Sequence, residues 1–128
     1  IVNRKAGTIH LTDWEKPLWG DPSQDLSHFR VPTTTLWKTD YRMTEDDKAA
    51  MMTIYKEAVR DPHLQDTIEE RTHLRDPFNC LRGVSWCAMA WVQYHTGEHV
   101  LKNEDTLRKL SMYVDVNFVR SLFDPLIR

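Results

Sequence analysis

Residues 76–97 read DPFNCLRGVSWCAMAWVQYHTG. Phe78, Leu81, Val84, Cys87, Ala88, Trp91 and Val92 recur at steps of three and four, the spacing of one helix face. Asp76-Pro77 has the form of an N-cap followed by proline at the first helical position, and Gly97 supplies a C-terminal stop. The nearly uncharged stretch 84–97 is shorter than the ~20 residues a membrane-spanning helix needs, so it is predicted to be the central helix of a globular core.

Working outward, Thr44 with Asp47 forms a capping box, and Ala49, Met52, Tyr55, Ala58 and Val59 continue an apolar stripe to about residue 60. Asp61-Pro62 repeats the cap-and-proline device. It predicts a short polar helix to residue 73, anchored by Leu64 and Ile68. Beyond Gly97, Asn103 caps a helical region carrying Leu107, Leu110, Val114, Phe118, Leu122 and Phe123, with a break near 115–117 and an end at Pro125.

The first 43 residues behave differently. Pro17, Pro22 and Pro32, with Gly7 and Gly20, interrupt any sustained period, and each proline pushes its predecessor toward extended backbone. Strand-like pieces are expected at 8–11 and 33–37, where β-branched and aromatic residues gather. Trp14, Leu18, Trp19, Leu26, Phe29, Leu36 and Trp37 carry too much apolar surface for a solvated tail. The expectation is therefore an all-α protein: a four- to five-helix bundle over 44–128 behind an extended N-terminal arm over 1–43. That arm packs on its own bundle or on a neighbour.

At 128 residues the chain has room for one core, and its 41% hydrophobic and 28% charged residues are those of a globular protein. Its formal net charge of -2 provides no global basic field. The acidic excess falls in 44–76. Cys80 and Cys87 lie two helical turns apart, too far to pair, and are read as buried thiols.

Motif chemistry is sparse. His95-Thr-Gly-Glu98-His99 spells H-x-x-E-H, the inverted zinc-protease order, but Thr96-Gly97 stops the helix that such a site needs. Glu70-Arg-Thr-His73 is one E-x-x-H, whereas a di-iron bundle requires two such motifs and further glutamates. Four glycines form no phosphate-cradling loop. No cofactor and no metal are expected, and the chain is not read as an enzyme. Cations interleave with the arm's tryptophans, a pattern able to follow a phosphate backbone.

The extended, proline-interrupted arm (1–43) before a small helical bundle resembles the major coat proteins of filamentous double-stranded DNA viruses that infect hyperthermophilic archaea. The resemblance is one of architecture, without a diagnostic motif. It implies a virion structural protein that pairs with itself or a related subunit and wraps double-stranded DNA by sequence-independent backbone contacts in a helical filament. Trp14, Leu18, Trp19, Phe29 and Trp37 are the expected subunit anchors; Arg4, Lys5, Arg82, Lys102, Arg108 and Lys109 are the expected phosphate contacts. The net charge of -2 departs from that family and requires the cations to gather on one face. Two other readings stand beside it: a small helical module, viral or phage accessory, that docks on one protein partner, and a small metal-dependent enzyme using His73, His95 or His99 with Glu70 or Glu98. Outside a virion, a cytoplasmic location is expected.

Overall fold

Thr44 caps its helix as its spacing predicts. Its hydroxyl accepts from the Asp47 amide at 3.1 Å, and the Asp47 carboxylate accepts from the Thr44 amide at 3.0 Å. The computed structural model describes residues 2–10, 12, 17–97 and 103–125. These form a two-stranded antiparallel ribbon, β1 (Val2–Asn3) and β2 (Thr8–Ile9), and six helices. The helices are α1 (Ser23–Arg30), α2 (Pro32–Lys38), α3 (Glu45–Ala58), α4 (Pro62–Thr96), α5 (Glu104–Tyr113) and α6 (Val116–Phe123). The fold is mostly helical, as expected, and α4 is its axis: all five other helices pack on it.

The arm is shorter than expected. Residues 23–38, read as extended with a strand at 33–37, fold as α1 and α2 and join the body. Pro22 and Pro32 start these helices instead of breaking them. Pro22 stands at the N-cap of α1, and Pro32 at the first position of α2, where the missing amide would have had no partner. Tertiary packing overrides the β-propensity of Thr33, Thr34 and Thr35: Thr33 closes on Gly83, where a built Cβ would lie 2.7 Å from the Thr33 Cβ.

A second correction concerns residues 61–76. The two helices expected on either side of Asp76-Pro77 are one 35-residue helix, α4, with Pro77 inside it. Asp61 caps its start, accepting from the amides of His63 and Leu64, and Gly97 ends it at φ 82°. Asp76 caps nothing. It is buried and faces α1.

The third correction is the orientation of α4. Phe78, Leu81 and Val92, expected in the core, are exposed. The opposite face carries Ile68, Thr72, Asp76, Asn79, Cys80, Cys87 and Ala90, and these are buried. Toward the end of α4, Cys87 and Ala90 cluster with Leu110 and Tyr113, and Trp37, Trp91, Tyr94, Met112 and Phe118 pack around them. Asn103 and Asp115 cap α5 and α6, so the break expected near 115–117 is present.

Candidate assembly interface

Hydrophilic side chains fasten the base of the arm to α4. Asp21 lies 3.0 Å from Arg71 and 3.6 Å from Arg75, and its carboxylate accepts from the Ser23 amide at 3.0 Å. Burial by itself would raise the Asp21 carboxyl, but the Ser23 amide and hydroxyl, with Arg71 and Arg75, hold it below its ordinary value. One turn on, Arg75 donates to the Ser23 hydroxyl at 2.7 Å and Gln24 donates to Asn79 at 2.8 Å. The arm therefore leaves the body at a fixed point.

Before that point the chain is open. Leu18 is 94% exposed and Trp19 106%. The β1–β2 ribbon is exposed throughout, with Arg4 and Lys5 in its turn and Gly7 at φ 63°. An isolated two-stranded ribbon has little stability of its own.

The outer face of α4 is open as well. Leu74, Phe78, Leu81, Met89 and Val92 are each more than half exposed, and at 100° per residue they fall on one side of the helix. Beside this stripe lies a cavity of about 330 Å³ between α2 and α4, lined by His28, Trp37, Arg82, Gly83, Trp86 and Tyr113, among others. Its aromatic rings are ordered edge to face: Trp37 meets Trp86 at 5.5 Å and Tyr113 at 5.8 Å, with interplanar angles of 88° and 86°. The Tyr113 hydroxyl donates to the Thr33 carbonyl at 2.8 Å. Burial, then the nearby Arg82 charge, pushes the His28 imidazole below its ordinary value.

Of the expected anchors, Leu18 and Trp19 are presented to the outside, and Phe29 is exposed on α1 near Tyr41 and Ile54. Trp37 is used within the chain, against Trp86 and Tyr113. Trp14 lies outside the described residues. Among the expected phosphate contacts, Arg4, Lys5 and Arg82 are exposed, and Arg108 is exposed 3.6 Å from Asp105. Lys109 is not available: its ammonium donates to the carbonyls of Leu36 at 2.7 Å and Thr39 at 3.4 Å, and pairs with Asp40 at 3.1 Å. It closes the C-terminal end of α2. Lys102 lies outside the described residues.

Among the described residues, the metal motifs bring no set of ligands together. Glu70 is exposed, and His73 stands 3.9 Å from Asp76, which Arg30 already holds. His95 donates from Nδ1 to the Trp91 carbonyl at 2.8 Å and stacks on the Trp91 ring; Glu98 and His99 lie outside the described residues. No group of three or more His, Cys, Asp or Glu able to hold a metal occurs among the described residues, and no described helix is long and apolar enough to cross a membrane.

The aromatic groove and the outer face of α4 are the features that sequence reasoning missed. The signal was present in the small residues Cys80, Gly83, Cys87 and Ala90, spaced three, four and three apart, which let α4 approach its neighbours closely. With the small side packed inward, the bulky side faces out. No protein-family model, curated protein or solved structure matches this chain.

Proposed function

We propose that this chain is a structural protein that assembles with further copies of itself through its N-terminal arm. The observation that carries this reading is the complete exposure of Leu18 and Trp19, adjacent and only two residues before an anchored Asp21. A tryptophan buries about 150–250 Å² when covered, and aromatic side chains are typical interface anchors, so an arm held open in this way is suited to a partner surface. The exposed stripe on α4 supports the same reading from the other side of a contact.

The coat-protein form of this proposal adds double-stranded DNA, gripped at its backbone by Arg4, Lys5, Arg82 and Arg108. Its support is that Arg4, Lys5 and Arg82 are exposed and make no ion pair among the described residues. Light scattering of the full chain over a range of concentrations, with and without duplex DNA, tests both layers. Mass rising with concentration supports assembly, and further growth on DNA supports the coat. A monomer at every concentration overturns the proposal and favours a module that docks on a different protein.

A further inference from the structure

The structure offers an open plug and an open socket on the same chain. We infer that the groove lined by Trp37, Trp86 and Tyr113 is the seat for Trp19 of a second copy; this rests on the self-assembly reading above and names its contact.

Three observations carry it. The first is fit. A cavity of ~150 Å³ admits a benzene ring, and the 330 Å³ here leaves room for the two fused rings of an indole. The rings already present meet edge to face, and a further indole extends that packing on the half-exposed face of Trp86. Arg82, at the rim and without an ion pair among the described residues, can lie over the incoming ring as a cation–π partner.

The second is charge. In sequence, the residues leading to Trp19 include Asp13 and Glu15 against Lys16; Asp21 is already paired with Arg71 and Arg75, and Arg4 and Lys5 lie farther off in the ribbon. Beside the groove stand Arg82 and Lys38, whose ammonium lies 5.9 Å from the Trp37 ring. A locally acidic stretch of sequence before Trp19 thus complements a basic rim, which favours encounter.

The third is area. Phe78 and Arg82 are one turn apart, as are Arg82 and Trp86, and Trp86 and Met89 are three apart, so the groove continues onto the α4 stripe. At about 100 Å² for each half-exposed large side chain, the stripe and Trp86 present roughly 600 Å² of apolar surface. That is at the upper end of the largest patch on a typical monomer, and near the ~800 Å² each partner gives to a stable interface.

Plug and socket are different surfaces of one chain, so the contact is heterologous. Repeated, it closes a ring or propagates a filament. The experiment is sedimentation equilibrium of the full-length chain, its Trp19→Ala and Trp86→Ala variants, and an equimolar mixture of the two variants. Each variant alone is expected to lose at least tenfold in self-association with unchanged far-ultraviolet circular dichroism. The mixture is expected to form a 1:1 heterodimer that grows no further, because one variant keeps the socket and the other the plug. Arg82→Glu, an exposed change that leaves the rings in place, is expected to weaken association and serves if Trp86→Ala unfolds. If Trp19→Ala stays monomeric while Trp86→Ala and Arg82→Glu assemble like wild type, the groove is overturned and arm-driven assembly stands. If the mixture remains monomeric, seating between copies is overturned. If wild type itself never associates, both readings fall.

Discussion

Arg30 and Asp76, 46 positions apart, meet in a two-pronged ion pair: Nε to Oδ1 at 3.1 Å and Nη2 to Oδ2 at 2.6 Å, with side chains 1% and 7% exposed. Ser27 donates to the same carboxylate at 2.8 Å and in turn accepts from Asn79 at 2.8 Å. The seam between α1 and α4 is therefore held by buried polar groups that satisfy one another, not by an apolar core. Such a seam gives direction as much as strength, because each bond has a required geometry.

Removing one partner should expose the cost of that choice. Asp76→Asn or Arg30→Met leaves the other member buried without its counter-charge, a loss of about 3–5 kcal/mol in urea unfolding. The double variant Arg30→Met/Asp76→Leu should recover most of it. A single variant within about 0.5 kcal/mol of wild type, the range of ordinary surface changes, would show that the pair holds nothing.

Gly83→Ala sets helix propensity against packing. An alanine in mid-helix gains about 1 kcal/mol, but its Cβ would lie 2.7 Å from the Thr33 Cβ and force α2 away. Overpacking costs about 1–3 kcal/mol, so the net effect should be a lower melting temperature. Adding Thr33→Gly, which removes the opposing side chain, should relieve the clash while costing helix propensity. A higher melting temperature for Gly83→Ala alone would show that the helices can separate freely.

Both thiols are buried, and burial pushes each up to about 11. Neither should react with a thiol reagent at pH 8 until the chain is unfolded in urea. The sign of the pH effect follows. A folded-state value raised above the ordinary 9.0 means that the neutral thiols' contribution to stability is complete below about pH 9 and is lost as pH rises through 11. Stability measured from pH 8 to 11 should fall, and more gently in a Cys80→Ala/Cys87→Ala variant. Rapid native labelling would falsify the burial of these groups.

Lys109 separates structural cations from DNA-binding ones. Lys109→Met should lower stability, because the end of α2 loses its donor, yet leave the salt dependence of DNA binding unchanged. Arg4→Ala/Lys5→Ala should do the reverse, leaving melting intact and reducing the salt slope by about 2 if both touch phosphate. An identical slope in the latter pair removes them as contacts.

Much of the fold can be read along the chain because it is set within one helical turn. Thr44 with Asp47, Asp61 before Pro62, Gly97, Asn103 and Asp115 each act on groups two to four residues away, so helix ends and the helical class follow from local order alone. The lack of a regular element at Leu18 and Trp19 is also local, since Pro17 and Gly20 interrupt it. That both side chains stay uncovered on this chain is not, because in sequence their apolar surface reads as packed. Asp76-Pro77 shows the limit. The same dipeptide form that starts α4 at residue 61 passes through its middle at residue 76, because Arg30 takes the carboxylate that would have capped a helix.

The facing of α4 depends on the partners available to it. Large apolar residues at helical spacing look like a core stripe, but Gly83 and the cysteines permit a closer approach, and α1 and α2 fill that side with Ser27, Arg30 and Thr33. The helix and its ends are properties of neighbours in sequence. Which side is buried, whether Asp76 caps or pairs, and where an aromatic groove opens are settled by groups 46 to 80 positions away, whose contacts have no signature in local periodicity.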